Sequence, residues 1–440
     1  MIRLTTLLAR ASGAIPALLL AGVLGACKGV LEVDRPTLIT EQTVKGDSAM
    51  INAMVNGVEN EFRAGYAWVA SSGAAQTDEA IFSHVWTPWD TYDNRDVTSD
   101  APAHDIFTYP FLQRARGTSE KFVETLREVL GDRAANHAGF AKALTYAGYS
   151  HFQIAAHLCA TPINGSAPKP PDEVFGIAIG YFEDAVRVGT AANATDIVHL
   201  ANVGLARTYL QMGNKAKTIE FASKVPPNFS AWVRYAPNPD FGQWTVYNLY
   251  NRLSGLRSPS EFNLALDPDL MRNVRDLRVP FETDSTRRMM EERGPRFGYL
   301  PYQPSSFSDW KPGGKTIMTD DADIRFASGL EARYMVAEAG GLTGAPLRAF
   351  INERRAAGGL APFAGTDAQL TDELLEQRKW DFFLAGFRMP DLIRYKKLYS
   401  RDLWPKGKLS GFTASYSQNY GAAECWPIGA TEKNGNPNIP

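Results

Sequence analysis

Regularly spaced apolar residues near the middle of the chain constrain its fold most strongly. The segment VFGIAIGYFEDAVRVG, residues 174–189, repeats apolar side chains at intervals of three and four residues. This spacing puts them on one face of an α-helix, and such a face must be buried against another element. The residues concerned are Val174, Ile177, Ala178, Tyr181, Phe182, Ala185 and Val186.

The next segment, 196–226, has the pattern of two helices joined by the short turn Met-Gly-Asn. Ala201, Gly204 and Ala206 are small, and small side chains let neighbouring helices approach closely. An antiparallel helix pair of this kind resembles a tetratricopeptide unit. Because such units stack and bury one another's faces, we expect a mainly α-helical scaffold.

A region of different composition, residues 227–328, interrupts the helical patterns. It is rich in Pro, Gly, Asn and aromatic residues, which is typical of ordered loops with short strands. Long loops inside a compact domain are more often functional than idle, so a binding role is expected here. The flanking helices are predicted over 46–64, 118–130, 136–158, 330–342, 345–360 and 370–398.

The first 26 residues are typical of an export signal. Arg3 and Arg10 supply a basic start, and the apolar run 14–26 is too short to span a bilayer. Small residues precede Cys27 in the sequence LGAC, which predicts cleavage by the lipoprotein signal peptidase and acylation of Cys27. Acyl chains would anchor the protein to a membrane without a transmembrane helix. The alternative is an ordinary secretory signal with an incidental cysteine.

The two remaining cysteines, Cys159 and Cys425, are candidates for a disulfide. An exported protein meets an oxidising compartment, where a pair of cysteines tends to bond. We therefore predict a Cys159–Cys425 disulfide. Two separately buried thiols are the alternative.

Size and charge exclude some classes of function. A chain of 440 residues suits one large helical domain or two lobes. The formal net charge is −2, and Lys and Arg are spread along the chain without a basic block. This distribution argues against a nucleic-acid partner.

The sequence carries no motif of a catalytic, metal or cofactor site. The histidines do not form H-E-x-x-H or another tight ligand spacing, and no phosphate-binding or nucleophile motif is present. Asp78 and Glu79 are adjacent, which suits a turn better than an acid–base pair. We therefore expect a protein that is not an enzyme and needs no metal or cofactor.

Two stretches, 82–96 and 297–314, combine aromatic and polar side chains at high density. A sugar ring can stack its apolar face on an aromatic ring, while its hydroxyls bond to amides and charged groups. The alternative is that these rings pack their loops against the scaffold. The candidate ligand-binding residues are Trp86, Trp89, Tyr92, Asp93, Asn94, Tyr299, Tyr302 and Trp310.

Several segments, in order along nearly the whole chain, resemble motifs of the SusD/RagB family. The most specific is 373–397, ELLEQRKWDFFLAGFRMPDLIRYKK, although Gln377, Asp381 and Ala385 stand where the family pattern has Glu. The other matching segments are LEVDRP at 31–36, AMVNGVENEF at 53–62, TDE at 77–79, YSHFQIAAHLCATP at 149–162 and CWPIGATEKNGNPNIP at 425–440.

The resemblance implies a right-handed helical scaffold with tetratricopeptide-like helix pairs and a loop-rich ligand-binding region. It also implies a division into a signal peptide, 1–26, and a SusD-like domain, 27–440. In that domain the parts would be 27–226, 227–328 and 329–440. The family's sugar-stacking aromatics likewise come from an N-terminal loop and from a region after the tetratricopeptide units.

The implied function is non-enzymatic binding of an oligosaccharide or another nutrient at the outer membrane. The protein would be lipid-anchored, face the cell surface and cap a SusC-type TonB-dependent transporter. Two alternatives stay open: a peptide-binding member of the same family, and a tetratricopeptide-type lipoprotein scaffold for envelope assembly.

Overall fold

Helices make up most of the protein in the computed structural model. The predicted signal peptide, Cys27 and Trp86 lie outside the described residues. Within the described ranges, no helix combines the length and apolar character needed to cross a membrane. The structure describes residues 48–82, 87–235, 264–266, 275–283, 299–316, 322–408 and 419–440.

The N-terminal half is a succession of helices. Each of the last four packs against the next one along the chain, as expected for stacked helix pairs. In order, the helices are α1 (Ser48–Gln76), α2 (Asp90–Asp93), α3 (Tyr109–Leu130), α4 (Ala138–His157), α5 (Pro171–Ala191), α6 (Thr195–Gln211) and α7 (Lys215–Ala222).

The apolar stripe predicted on 174–189 forms the contact between these helices. Phe182 of α5 is fully buried, and its ring lies against Gly148 of α4 and Gly204 of α6. A Cβ atom would come within 2.7 Å of the ring at Gly148 and within 2.4 Å at Gly204. The absence of side chains at these two positions therefore makes room for Phe182, which explains the small residue predicted at the helix crossing.

Where the C-terminal half is described, five further helices follow: α8 (Gly329–Glu338), α9 (Gly344–Ala357), α10 (Leu370–Asp381), α11 (Arg388–Tyr399) and α12 (Ala430–Gly435). The predicted break near Gly386 separates α10 from α11. Leu384 and Gly386 lie on the connection between α10 and α11 and have positive φ angles of 58° and 79°. A right-handed helix cannot continue through this conformation, which glycine adopts most easily. The prediction of a mainly helical fold is confirmed.

Short strands accompany the helices, as the composition of the middle region predicts. Among the residues that the structure describes, the strands form three antiparallel pairs: β1 with β3, β2 with β6, and β4 with β5. Their bounds are β1 Ala80–Phe82, β2 Ser230–Val233, β3 Leu264–Leu266, β4 Phe281–Thr283, β5 Tyr299–Pro301 and β6 Ile324–Ser328.

Asp381, at the end of α10, is the centre of a buried ionic cluster. It is 1% exposed and accepts bonds of 2.8 and 2.7 Å from the guanidinium of Arg354. The Tyr334 hydroxyl donates to it at 2.5 Å, and Arg278 lies 3.2 Å away. Burial alone would raise the pKa of Asp381, but the two arginines outweigh it and hold that pKa below its usual range. One carboxylate thus joins α8, α9 and α10 to the segment 275–283.

A second ionic cluster joins α8, α10 and α11. Arg378 donates to Asp391 at 2.8 Å, and Arg394 contacts both Glu338 at 2.7 Å and Asp391 at 2.8 Å. All four side chains are buried. The charged residues of the segment 373–397 therefore pair across helices. Loss of one partner would leave a buried charge unpaired, which is strongly destabilising.

Two of the departures from the family pattern also have structural partners. Gln377 is buried, accepts a 2.7 Å bond from Arg278 and donates a 2.8 Å bond to Glu373. The carbonyl of Ala385 accepts a 2.5 Å bond from the hydroxyl of Tyr66. A neutral amide at 377 leaves the charge of Arg278 paired, because Asp276 already accepts bonds of 2.9 and 2.5 Å from that guanidinium.

The adjacent acids Asp78 and Glu79, which follow α1, face different environments. Arg388 donates to Asp78 at 2.7 and 2.9 Å, and this pairing outweighs burial, so the pKa of Asp78 is lowered. Glu79 is 1% exposed and accepts a 3.2 Å bond from the Leu384 N–H. Burial raises the pKa of Glu79 to about 8, so at neutral pH this side chain is mainly a neutral acid.

Residues 421–440 form an ordered C-terminal strap across the helices. A disulfide joins Cys159 to Cys425, which confirms the predicted pairing. Next to it, the Cys159 N–H donates to the Trp426 carbonyl at 2.9 Å, and the Trp426 N–H donates to the His157 carbonyl at 2.8 Å. The indole of Trp426 is fully buried and donates to Gln76 at the end of α1. The strap therefore connects α1, α4 and the chain end.

Replacing both Cys159 and Cys425 by Ala should lower the free energy of unfolding by about 3–5 kcal/mol, because the unfolded chain regains the entropy of a very long loop. The disulfide spans 266 residues. Urea denaturation of both proteins, each with and without a thiol reductant, measures the change. The reductant should destabilise only the wild-type protein, and equal sensitivity of the two proteins would contradict a bonded pair.

The raised pKa of Glu79 predicts a specific pH dependence. The folded protein binds this proton more tightly than the unfolded chain, whose Glu has a pKa near 4.5. The contribution of Glu79 to the free energy of unfolding is thus largest at low pH and falls as pH rises from about 4.5 to about 8. Glu79→Gln removes this titration.

The free energy of unfolding of Glu79→Gln, relative to wild type, should therefore increase by a few kcal/mol across this window and level off above it. Urea denaturation of both proteins at a series of pH values between the two limits measures the difference. A difference that stays constant with pH would show that Glu79 is ionised in the folded protein.

Candidate functional site

The first predicted ligand-binding stretch, 82–96, runs from β1 through α2. Trp89 is 0% exposed and stacks parallel to Trp68, with ring centres 5.2 Å apart. The Phe82 ring centre lies 4.7 Å from that of Trp89. The structure gives Trp89 a packing role, which corrects the ligand contact predicted for it. The prediction for Trp86 lies outside the described residues.

The polar residues after Trp89 also have partners inside the fold. Tyr92 is buried and donates a 2.7 Å bond to the hydroxyl of Thr108. Asp93 is buried and accepts bonds of 2.9 and 3.0 Å from the last N–H group of β1. Asn94 is half-buried, and its carbonyl accepts a 2.6 Å bond from Gly421 of the C-terminal strap. This corrects the predicted ligand contact of Tyr92 and Asp93, whose polar atoms are already bonded within the protein.

The second predicted stretch offers a partly exposed aromatic ring with charged neighbours. Tyr302 is half-buried and donates a 2.6 Å bond to the carboxylate of Glu282. The ammonium of Lys315 lies 3.7 Å from the same carboxylate and 5.3 Å from the centre of the Tyr302 ring. Tyr299 belongs to β5, and its side chain lies outside the description. The group Tyr302, Glu282 and Lys315 combines an apolar face with hydrogen-bonding groups of both charges.

Trp310 lies on the same stretch and is also half-buried. It precedes a tight turn in which the Gly314 N–H donates to the Lys311 carbonyl at 2.9 Å. Gly313 has a φ of 68° in this turn, a conformation that glycine adopts without a steric penalty. Trp310 and Tyr302 are therefore the two predicted aromatic residues whose described side chains keep some exposure.

The backbone brings the two predicted stretches close together. β1, which leads into the first stretch, pairs with β3, with Ala80 opposite Leu266 and Phe82 opposite Leu264. β3 also contacts β5, and β5 pairs with β4, the strand that carries Glu282. The end of β1 and the Tyr302 group thus belong to one region of the molecule, although they are more than two hundred residues apart in sequence.

Three buried histidines have structural partners. His104 donates from Nε2 to the Pro427 carbonyl at 2.8 Å, and burial lowers its pKa to about 4. His157 stacks on Trp426 with ring centres 5.1 Å apart, and burial lowers its pKa to about 4 as well. His151 is bonded to Glu120 at 2.8 Å. These side chains support helices and the C-terminal strap.

Acidic, histidine and cysteine side chains do not come together as metal ligands in the part of the chain that the structure describes. Asp93 of the first stretch and Glu282, the partner of Tyr302, each have a hydrogen-bond partner within the protein. The described region can therefore offer stacking and hydrogen bonding to a ligand. The sequence did not predict that Glu282 and Lys315 lie beside Tyr302, because neither residue belongs to one of the two aromatic stretches.

Comparison with solved structures identifies the fold. A SusD superfamily protein from Bacteroides thetaiotaomicron matches with a TM-score of 0.64 at 13% identity, covering 91% of this chain and 99% of that protein. One from Parabacteroides distasonis matches with a TM-score of 0.61 at 14% identity, covering 92% and 99%. A laminarin-binding SusD-like protein has a TM-score of 0.60 at 15% identity and covers 90% and 98%.

Sequence comparison alone does not find these relatives. No protein-family model matches the chain, and no curated protein does. The similarity therefore lies in the three-dimensional arrangement, which extends over about nine-tenths of the chain. The SusD-like fold predicted from the short sequence motifs is confirmed.

Proposed function

We propose that this chain, which has the SusD fold, is a nutrient-binding lipoprotein of the outer membrane that captures a glycan for a SusC-type TonB-dependent transporter. The observation that carries the proposal is the match to SusD-like structures over about nine-tenths of the chain. One of these structures is of a laminarin-binding protein, which makes β-glucans a reasonable first class of ligand.

Binding without catalysis fits the chemistry of the described side chains. The buried histidines and carboxylates are engaged in ion pairs and hydrogen bonds that hold helices together. A glycosidase would need two carboxyl groups placed on either side of a sugar. Near Tyr302, the carboxylate of Glu282 is already bonded to the tyrosine hydroxyl and lies close to Lys315.

A glycan surface around Tyr302 and Trp310 agrees with the physical requirements of sugar binding. The exposed parts of the two rings can cover the apolar face of a pyranose, and Glu282 and Lys315 can exchange their mutual contact for sugar hydroxyls. Trp86, of the first stretch, is the third proposed stacking residue, and Asn94 and Tyr299 remain proposed polar and aromatic contributors. Each stacked ring contributes about 1 kcal/mol, so modest affinity is expected.

The partner and the location follow from the same proposal. Acylated Cys27 would hold the domain at the membrane, where it could close over the transporter. A gene for a large β-barrel with a plug domain beside this gene would support the partnership. The peptide-binding and scaffold alternatives predict other ligands and are separated from glycan binding by the following test.

Trp310→Ala, Tyr302→Ala and Trp86→Ala should each weaken glycan binding about fivefold, because each removes one stacking ring. Calorimetric titration of the acyl-free protein with laminarin and other soluble glycans measures the affinity. Phe363→Ala is a matched control, since Phe363 is a half-buried aromatic residue on the connection between α9 and α10.

The outcomes separate the alternatives. Unchanged glycan affinity in all three variants would refute the site. Binding of peptides and not glycans would favour the peptide-binding alternative, and the absence of both would favour a protein scaffold.

Cys27→Ala should abolish incorporation of a clickable palmitate analogue and move the protein from the membrane fraction to the soluble fraction of a Gram-negative host. Cys159→Ala, which leaves Cys27 in place, is the control and should still be labelled. An unlabelled wild-type protein in the soluble fraction would indicate an ordinary secretory signal.

A further inference from the structure

A cavity of about 370 Å³ opens beside the disulfide, and neither Tyr302 nor Trp310 is among its lining residues. It forms where the end of α4, the start of α5, the middle of α11 and the C-terminal strap meet. Its walls are mainly apolar and include Ala155, Ala156, Leu158 and Phe175, all of them buried. Two consecutive alanines on α4 leave the space that longer side chains would fill.

Gln211, the last residue of α6, lines this cavity and is 7% exposed. Its side-chain amide is a polar group in a wall that is otherwise largely apolar. The same residue also borders a much smaller internal space of about 10 Å³ among the arginines of the ionic clusters. A ligand hydroxyl that bonds to the Gln211 amide would keep both groups hydrogen-bonded when the ligand leaves water for the apolar cavity.

Two ion pairs border the cavity, and in each pair the positive and the negative charge cancel. Lys396 lies 2.5 Å from Glu424, and Lys397 lies 3.2 Å from Asp172. Arg394 also contributes to the wall, but its guanidinium is bonded to Glu338 and Asp391. The cavity therefore has a neutral border and does not favour an anion or a cation.

We propose that this cavity binds a small uncharged molecule that has an apolar ring and one hydroxyl group. The apolar walls suit the ring, and the volume is within the range of sites for small organic ligands. A hydroxyl both donates and accepts, which matches the amide of Gln211. A monosaccharide fits less well, because most of its hydroxyls would face carbon atoms and lose their hydrogen bonds.

The cavity shares no lining residue with the proposed glycan surface. It needs the C-terminal strap in place, because the strap forms one of its walls. Cys159 and Cys425 both line the cavity, and Glu424 of its border precedes Cys425 directly. The disulfide thus fixes one wall against α4. Binding at this site can be measured in the acyl-free protein without any glycan, so its failure would leave the glycan proposal untouched.

Benzyl alcohol is a suitable probe, with benzoate, benzylamine and glucose as matched comparisons. Titration followed by ligand-observed NMR and calorimetry should give saturable binding of benzyl alcohol. The two charged analogues should bind at least about tenfold more weakly, because entry would place an unpaired charge against apolar walls. Glucose should not compete.

Variants test the location. Ala156→Leu and, independently, Ala155→Leu should abolish binding by filling the cavity. Gln211→Met keeps the volume but removes the amide, and should weaken binding about fivefold. Ala191→Leu, at an exposed position at the end of α5, is the matched control and should bind like wild type. Circular dichroism of each variant checks that the helices are retained.

Two results would overturn the proposal. One is binding of benzyl alcohol that persists in both folded leucine variants, which would place the probe elsewhere. The other is absence of saturable binding, or equal binding of the alcohol, the acid and the amine, which would show that the cavity does not recognise an uncharged hydroxyl compound.

Discussion

Buried charge is the constraint on which the C-terminal half of this structure depends. Asp381 and Asp391 lie inside the protein, and each is stable there because two arginines contact it. The partners come from α9, α10, α11 and the segment 275–283, so the charges are satisfied only when all these elements are in place. Such pairs add little net stability over apolar packing, but breaking one leaves an unpaired charge in the interior. The ionic clusters therefore select one arrangement of the helices.

The sequence predicts the helices well because helix packing leaves a periodic trace. The stripe at 174–189 and the small residue Gly204 belong to the same contact, in which Phe182 fills the space above two glycines. The disulfide and the break at Gly386 also followed from local rules of export and backbone conformation. The roles of the charged residues in 373–397 could not be deduced in this way, because their partners Arg278, Glu338 and Arg354 are distant in sequence.

The candidate site was harder to predict, since stacking on a sugar and packing in a core use the same residue types. Trp89 and Trp310 both lie in loops rich in polar residues, yet one is enclosed by Trp68 and Phe82 and the other keeps an exposed part. Only the tertiary structure separates them. The cavity beside the disulfide left no trace in the sequence, because its walls come from α4, α5, α6, α11 and the C-terminal strap, which are separate segments of the chain.

The C-terminal strap has a consequence for the order of events in folding. Trp426 fills a place between α1 and α4, and Cys425 bonds to a residue near the end of α4. These parts of the helical half are therefore completed by residues that lie far along the chain, with Cys425 266 positions after Cys159. A chain that has been synthesised only as far as α11 leaves Cys159 unpaired and the place of Trp426 open. Closure of the strap thus requires that the segment after α11 has been synthesised and has folded back onto α1 and α4.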